Sequence, residues 1–305
     1  MNYGFENNQF YVEFPPLTRK PGNMRQESDT RARELAEQSN KLILSMSSGV
    51  DSQSVLHSFQ TQGIPIDCVF FYMPGYNEVE YQQLQEVKKK YQAKIEIIDL
   101  EPLQYEEEIM LTAREEKIHP VQLMQAQFAK LLPDDADIIQ MIHDPFVYIK
   151  DNSFYFYQGY HSPEIARIRA MDLLDRKGKY IPYGDTTEFL YSILNDDVYR
   201  SALYTHRYFD GNGLSKPGFH LETVDRWDYY IKPIVYGKYW TDELIYFPKY
   251  GGWEDVPFLR GEPSNPELKL SDNWYRQKAV LIPYFDFLKD LEETKTPMKY
   301  FQRPE

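Results

Sequence analysis

Three serines, a glycine and an aspartate fall within six consecutive residues, Ser47 to Ser52 (SSGVDS). Serine hydroxyls can donate hydrogen bonds, and small side chains let backbone N–H groups approach a ligand closely. The apolar run from Leu42 to Met46 precedes this turn, and Val55, Leu56 and Phe59 follow it at helical spacing. We therefore predict a strand, an anion-binding turn and the start of a helix, whose N-terminus favours negative charge.

This turn differs from a Walker A P-loop, which ends in Lys followed by Ser or Thr. At the corresponding place the chain has Asp51 and Ser52. A cation from another part of the chain must therefore neutralise a bound phosphate. An ordinary serine-rich turn between a strand and a helix is the alternative interpretation.

The turn also resembles a family signature. Its sequence is similar to the SGGxDS motif of the PP-loop ATP pyrophosphatase superfamily, with Ser48 where the family usually has its first Gly. Members of this superfamily cleave ATP between its α and β phosphates or bind adenylylated substrates. The resemblance implies that Asp51 is catalytic and binds Mg²⁺. It also implies that the other turn residues hold the pyrophosphate of ATP, namely Ser47, Ser48, Gly49, Val50 and Ser52.

The segments around the turn alternate between helix and strand patterns, which predicts a parallel sheet with ligands at the carboxyl ends of its strands. Helices are expected over 25–40, 78–91 and 163–177, and over 101–132 with a break near His119. Strands are expected over 67–72, 94–100, 137–142 and 154–157. The last segment, 274–294, has a helical pattern interrupted by Pro283. Residues 1–24 are expected to form an extended arm with little regular structure.

Two further stretches resemble the phosphoadenosine phosphosulfate (PAPS) reductases of the same superfamily. The stretch from Phe70 to Tyr91 is similar to their NTGYEFPETY region, where a strand end lies beside the adenine and ribose. Here the resemblance implies that Tyr72, Met73 and Gly75 contact the nucleotide, with Met73 in place of the usual Thr.

The stretch from Tyr157 to Asp172 resembles the GxRxxESxxRA element of those reductases. It implies that Gly159 and His161 bind the cofactor and that Arg169 is catalytic, facing the anionic end of the ligand. Because Arg167 and Arg169 are two residues apart on a helix, at most one of them should reach the site.

A weaker resemblance joins Lys232-Pro233-Ile234 to the segment Trp240–Leu244, where the family places a short helix against the nucleotide domain. Together these similarities cover roughly residues 30 to 245.

The chain's single cysteine, Cys68, lies in an apolar run and is expected to be a small buried hydrophobic residue. PAPS reductases use a C-terminal cysteine as nucleophile, and several relatives hold an iron–sulfur cluster. Thiolate chemistry requires a thiolate, so sulfonucleotide reduction and persulfide-based tRNA thiolation are both disfavoured.

The net charge of −13 disfavours a broad basic surface, so nucleic acid is not favoured as a partner, although a local basic groove stays open. The chain has neither a run of about 20 apolar residues nor a leader-like start, so we expect a soluble cytoplasmic protein. The 26 tyrosines and 20 prolines are concentrated after residue 145 and predict an aromatic-rich, irregular C-terminal region. The sequence leaves open whether two copies of the chain form a homodimer.

The sequence thus predicts an α/β protein with a parallel twisted sheet and helices on both faces, of the HUP-like, adenine nucleotide alpha hydrolase-like kind. We expect a nucleotide-binding domain over 25–180 and a Tyr/Pro-rich region over 181–305 packed on it. The expected activity uses ATP and Mg²⁺ to adenylylate an unknown acceptor with release of pyrophosphate. The alternative is a nucleotide-binding or interaction protein that has lost catalysis.

Overall fold

Helix and strand segments alternate from residue 24 to residue 99 of the computed structural model, as the apolar pattern predicts. The structure describes residues 2–6, 9–141, 147–150, 153–158, 163–205, 232–247, 255–270, 280–293 and 298–302. The strands are β1 (Asn2–Glu6), β2 (Gln9–Glu13), β3 (Leu42–Ser45), β4 (Asp67–Tyr72), β5 (Ile95–Asp99), β6 (Asp137–Gln140), β7 (Val147–Lys150), β8 (Ser153–Gln158), β9 (Tyr180–Pro182), β10 (Val280–Pro283) and β11 (Met298–Gln302). The helices are α1 (Met24–Gln38), α2 (Val50–Thr61), α3 (Glu78–Tyr91), α4 (Glu106–Glu116), α5 (Pro120–Ala129), α6 (Pro163–Asp172), α7 (Thr187–Leu194), α8 (Asp197–Thr205), α9 (Lys232–Trp240) and α10 (Tyr284–Glu292).

Five strands form a parallel sheet in the order β5-β4-β3-β6-β9. The register pairs Ile43 with Asp67 of β4 on one side and with Ile138 of β6 on the other. The chain therefore runs outward from β3 through β4 to β5 and then returns to the opposite side of β3. Where the strand order reverses in this way, the loops diverge and leave a crevice beyond the carboxyl ends of the strands. Here that crevice lies between β3 and β6.

The three central strands of the sheet, β3, β4 and β6, are buried on both faces. Leu44 and Phe70 pack into one apolar cluster with residues of α1, α2 and α3. Their neighbours Ile43 and Phe71 point the other way, into a second cluster with residues of α4, α5 and α6. Burying a large apolar side chain in full contributes about 1.5–3 kcal/mol, so both layers stabilise the sheet. The predicted fold class, a parallel α/β sheet with helices on both faces, is confirmed.

Local signals in the sequence set several helix ends. Helix α1 begins after Asn23, whose side chain accepts a hydrogen bond from the N–H of Gln26 in a capping box. The helical region over 101–132 is broken where predicted, because α4 ends at Lys117 in a left-handed conformation and α5 begins with Pro120 at its first position. His119 caps α5 by accepting a hydrogen bond from the N–H of Val121.

Three predicted segments differ from the structure. The arm expected over 1–24 contains β1 and β2, which form an antiparallel sheet with β11 near the other end of the chain. The strand predicted over 154–157 exists as β8, but it pairs antiparallel with β7 and β10 outside the parallel sheet. The helix predicted over 274–294 begins only at Tyr284, because the apolar run before Pro283 pairs as strand β10.

The C-terminal part of the described chain contains the short helices α7 to α10 and the strands β10 and β11. Helix α9 packs against α1 and α8, and α10 packs against α7 and β8. Within the ranges given above, no helix is both long enough and apolar enough to cross a membrane. The division of the chain at residues 24 and 180 stays a prediction.

Candidate functional site

The serine-rich turn lies at the carboxyl end of β3 and is held by its own hydroxyls. Ser52 Oγ donates to the carbonyl oxygens of Ser47 at 2.8 Å and Gly49 at 3.1 Å. The N–H of Ser47 donates to Ser52 Oγ at 3.1 Å, and the N–H of Gly49 donates to Ser47 Oγ at 3.2 Å. Because Ser52 is only 4% exposed, its hydroxyl shapes the turn from inside.

Two side chains brace the turn from neighbouring elements. Ser48 Oγ donates to Gln83 Oε1 of α3 at 2.8 Å. Gln53, which is completely buried, donates from Nε2 to the carbonyls of Ser48 at 2.7 Å and Ile245 at 2.8 Å. Gln53 Oε1 accepts in return from the N–H of Ile245 at 2.8 Å. One carboxamide therefore joins the turn to the segment that follows α9.

Helix α2 begins directly at the turn. Its N-cap is Gly49, which is exposed and has no side chain, so no side-chain hydrogen bond caps the helix. Val50 is the first helical residue and is half-buried. The exposed N-cap therefore leaves the positive end of the helix dipole open to an anionic ligand.

Asp51, in the first turn of α2, is paired with two residues of α9. Lys232 Nζ forms an ion pair with Asp51 Oδ2, and Tyr236 donates its hydroxyl to Asp51 Oδ1 at 2.7 Å. The Lys232 side chain is 8% exposed and that of Asp51 is 25% exposed. This pair places an ammonium group beside the N-terminus of α2, although the two residues are 181 positions apart in sequence.

Helix α9 is fixed in place by contacts along its length. Lys238 Nζ donates to Asp196 Oδ2 at 3.0 Å, and the Tyr239 hydroxyl donates to the same carboxylate oxygen. These hydrogen bonds and the charge of Lys238 offset the effect of desolvation, so the pKa of Asp196 lies below its usual value. Trp240 is 1% exposed and stacks on Tyr236 at 5.0 Å between ring centroids. Lys232 and Tyr236 are therefore held at the turn by a packed helix.

A cavity of about 90 Å³ lies at the carboxyl edge of the sheet, between the turn, the end of β4 and the inner faces of α5 and α6. Its walls are mostly apolar and include Met46, Phe70, Phe71, Met73, Phe128, Ala129, Leu132, Ile138 and Met171. Its polar lining comes from Ser45, Ser47, Asn77, Glu80, Gln125, Gln140 and Tyr180. An apolar space with a few convergent polar groups is the usual form of a small-molecule site.

Arg167 on α6 lies behind one wall of this cavity. Its Nη1 donates to the hydroxyl of Tyr180 at 3.3 Å, and Tyr180 in turn donates to Gln140 Oε1 at 3.2 Å. Arg167 is 8% exposed, and its Nε has no hydrogen-bond partner among the described residues. The guanidinium therefore reaches the cavity wall through Tyr180.

Arg169, the arginine expected to be catalytic, points elsewhere. Its Nη2 donates to the carbonyl oxygen of Glu116 at the end of α4, 2.7 Å away. Arg169 is 5% exposed and is not among the residues that line the cavity. Arg167 does not line the cavity either, but it contacts the lining residue Tyr180. The expectation that at most one of the two arginines reaches the site stays a prediction. A catalytic role for Arg169 stays a prediction that these contacts do not favour.

Three residues at or after the end of β4 were predicted to contact the nucleotide. Met73 lines the cavity, whereas Tyr72 and Gly75 do not. Met73 is 1% exposed and lines the cavity, while its N–H donates to Asn77 Oδ1 at 2.7 Å. Tyr72 packs on Tyr81 at 4.7 Å between ring centroids. Gly75 is exposed and adopts a φ of 86°, a left-handed conformation that favours glycine, so the tight turn accounts for this residue.

Two predicted cofactor-binding residues, Gly159 and His161, lie outside the described residues. Cys68 is 5% exposed, and burial raises the pKa of its thiol to about 12. The expectation that Cys68 is a buried small residue is confirmed.

Sequence reasoning did not assign a function to Lys232, Tyr236, Gln53 or Gln125. For Lys232 the available signal was the missing lysine of the turn, which required a cation from another part of the chain. Gln53 and Gln125 gave no signal of their own, because a glutamine within a helix is usually solvated. Only the folded chain shows that both are buried.

The predicted Mg²⁺ ligand, Asp51, does not have a free carboxylate. Both of its oxygens are engaged, one by the ammonium of Lys232 and the other by the hydroxyl of Tyr236. Over the described part of the chain, no three His, Cys, Asp or Glu side chains are grouped so that they could hold a metal ion. In this structure Asp51 is the counter-ion of Lys232, and its engaged carboxylate does not suit the role of a metal ligand.

Comparisons with known proteins add little at the level of sequence. No protein-family model matches the chain, and no curated protein sequence matches it. Among solved structures, an NMN synthetase from Francisella tularensis is 12% identical with a TM-score of 0.29; the match covers 39% of this chain and 54% of that enzyme. An NH3-dependent NAD synthetase from Campylobacter jejuni is 11% identical with a TM-score of 0.33, over 89% of this chain and 94% of that enzyme. Scores this low do not establish a shared activity, and the chain spans about half the length of the first enzyme.

Proposed function

We propose that this chain is an ATP-binding PP-loop protein that cleaves ATP between the α and β phosphates and transfers the adenylyl group to an acceptor. The observation that carries the proposal is the turn Ser47–Ser52 at the point where the strand order reverses. There the N-terminus of α2 has no side-chain cap, and Lys232 supplies a positive charge beside it. A triphosphate needs backbone donors, a helix dipole and a cation, and this arrangement provides all three.

Each part of the site would have a separate role in this reaction. The N–H groups at the start of α2 would bind the β and γ phosphates, while Ser52 keeps the turn in shape. Lys232 would exchange its contact with Asp51 for the phosphate oxygens and stabilise the charge that develops on the leaving pyrophosphate. Asp51 and Tyr236 would hold that ammonium in position until the nucleotide binds.

The proposed adenylyl transfer forms one bond and breaks one bond, and it involves no oxidation or reduction. An acceptor oxygen attacks the α phosphorus, the bond between the α phosphorus and the bridging oxygen breaks, and the electron pair leaves with pyrophosphate. The product is an adenylylated acceptor. Catalysis would consist of positioning and charge stabilisation, which are worth far more in a desolvated site than in water. A Mg²⁺ ion would come with the nucleotide, held chiefly by phosphate oxygens and water, and we assign no residue of this chain to it.

The first experiment measures binding and turnover separately. Calorimetry with ATP and with pyrophosphate should show binding to the wild-type chain, and Lys232→Met should weaken pyrophosphate binding at least tenfold. Lys130→Met is a matched control, because Lys130 is also a lysine in an ion pair but contacts Glu108 on α4. If the wild-type chain binds neither ligand, or if both variants behave alike, the proposal is wrong.

Turnover is tested with ATP labelled at the α phosphate and a panel of carboxylic acid acceptors. Release of labelled AMP or of an adenylylated product together with pyrophosphate supports an enzyme. The alternative function, a non-catalytic nucleotide-binding protein, predicts stabilisation by ATP in a thermal melt without pyrophosphate release. Its support in the sequence is the set of departures from the family pattern at Ser48, at Met73 and at His161, which stands where an Arg is common in the family.

A further inference from the structure

A second cavity, of about 530 Å³, lies between α4, α5 and α6. It extends toward the edge of the sheet opposite the serine-rich turn, because Asp134 in its lining precedes β6, whereas the turn follows the carboxyl end of β3. Pockets that hold small molecules measure about 300–1,000 Å³. The cavity is therefore large enough for a ligand, and the proposed function makes no use of it.

The inner wall of this cavity is apolar. Ile109, Ala126 and Ala170 are at most 3% exposed, and each comes from a different helix. Leu173 also lines the cavity, but it is 47% exposed. A hydrocarbon chain lying in the cavity would contact the buried wall and remove the side chain of Leu173 from water, which is favourable.

Around this apolar wall, carboxylates outnumber cations. Five acidic side chains line the cavity, and they come from three separate segments: Glu108, Glu115 and Glu116 on α4, Asp134 after α5, and Asp175 after α6. Glu108 and Glu115 are two turns of helix apart, which separates them by about 10 Å along the axis of α4. Negative charge is therefore spread over the length of the cavity.

The two cationic side chains of the lining, Lys130 and Arg176, are already engaged. Lys130 Nζ donates to Glu108 Oε1 at 2.9 Å, and Arg176 Nη2 donates to the carbonyl oxygen of Pro133 at 2.7 Å. Gln127 is 7% exposed and donates from Nε2 to the same oxygen of Glu108 at 2.8 Å, while its Oε1 has no hydrogen-bond partner among the described residues. The polar lining therefore has acceptors in excess of donors, which suits a ligand that donates.

We propose that this cavity is a binding site for a linear aliphatic diamine or polyamine. An ammonium group is a compact charge with three donors and no acceptor, so it complements a lining rich in carboxylates. The methylene chain between two ammonium groups would lie against the apolar wall. A carboxylic acid of the same length would meet negative charge instead. The site is separate from the serine-rich turn, and the proposal does not depend on the proposed function.

Three probes with the same hydrocarbon chain test the charge requirement: hexamethylenediamine, hexylamine and hexanoate. Their binding to the full-length chain is measured by calorimetry at physiological ionic strength, where distant surface charges are screened. We expect the diamine to bind about twofold to fivefold more tightly than hexylamine, the range that one additional exposed ion pair provides. Hexanoate should not bind.

The double variant Glu115→Gln/Asp175→Asn removes two exposed carboxylates of the lining and should weaken diamine binding by at least about fivefold. Glu107→Gln is the matched control, because Glu107 is an exposed glutamate of the same helix that does not line the cavity, and this variant should bind as wild type does. Leu173→Lys adds a cation at an exposed position of the lining and should abolish binding. Thermal melts check that each variant is folded.

Four results would overturn the proposal. Neither amine binds, as expected if the groove instead receives a basic helix of a partner protein; hexylamine binds as tightly as the diamine; hexanoate binds as tightly as the diamine; or Glu107→Gln weakens binding as much as the double variant does. The last result would show that the amines bind to the general negative surface of the chain. Because no nucleotide enters these measurements, each of these results leaves the proposed function standing.

Discussion

The pair formed by Lys232 and Asp51 gives the sharpest prediction for stability and binding together. The Lys232 side chain is 8% exposed, so Asp51→Asn removes the carboxylate that pairs with an almost fully buried ammonium. Breaking a buried pair from one side typically costs about 3–5 kcal/mol. Because Asp51 is 25% exposed and water screens part of the charge, we expect about 2–3 kcal/mol for Asp51→Asn.

Lys232→Met should cost less, about 1–2 kcal/mol, since the remaining carboxylate keeps the hydroxyl of Tyr236 and some contact with water. The double variant Asp51→Asn/Lys232→Met carries no unpaired charge. Its loss of stability should therefore be smaller than the sum of the two single losses by at least about 1 kcal/mol.

The assay is urea unfolding of the three variants and the wild type, followed by tryptophan fluorescence and circular dichroism. The same proteins are then titrated with pyrophosphate. Asp51→Asn should keep or strengthen pyrophosphate binding, because the carboxylate of Asp51 no longer competes with the ligand for Lys232, and Lys232→Met should lose it. Two results would refute the reasoning: additive losses of stability, or loss of pyrophosphate binding in both single variants.

Further predictions concern other parts of the fold. Gly178→Ala should destabilise the protein by about 3 kcal/mol in thermal melts, because an added Cβ would lie 2.0 Å from the carbonyl oxygen of Ala136 and the backbone would have to move. Gly237→Ala is the control, because an added Cβ there would have no other atom within 4 Å, and this variant should be neutral or stabilising. Burial lowers the pKa of His119 to about 4, so the unfolded chain takes up this proton first as the pH falls. The stability contributed by neutral His119 should therefore be complete above about pH 6.5 and decline toward pH 4; melts of His119→Asn, which keeps a capping side chain, should lack that part of the slope. Cys68 should resist a thiol reagent in the native protein and react in full in denaturant, since its thiol is buried and its pKa is raised; rapid native labelling would contradict this.

Local patterns predicted the parallel sheet well because their signals are contained in short segments. Strand β4 and helix α3 have the predicted bounds, 67–72 and 78–91, since an apolar run and an acidic helix start mark them clearly. The pairing of β2 with β11 joins residues almost 300 positions apart, and no local pattern encodes such a contact. Strand β10 was misread as helix because a short apolar run fits either structure and only its partner, β8, decides.

The candidate site was predictable to a similar extent. The turn Ser47–Ser52 was found from its residue types, and the need for a distant cation followed from the lack of a lysine. That Lys232 lies beside the turn, and that Arg167 rather than Arg169 contacts the cavity wall, depends on how helices pack. Packing of this kind is set by the whole core and cannot be deduced from the spacing of a motif.

The carboxamide of Gln53 has a consequence for how ligands could be sensed at a distance. It bonds to Ser48 in the turn and to Ile245 after α9, so docking of the later segment helps to hold the turn in this shape. Thermodynamic linkage is reciprocal, so a ligand that prefers the braced turn must also tighten the docking of that segment by the same free energy. Amide hydrogen exchange around Ile245 would then report occupancy of the turn, although the residue touches no ligand. A protein that engages the C-terminal part of the chain would have a route to the affinity of the turn.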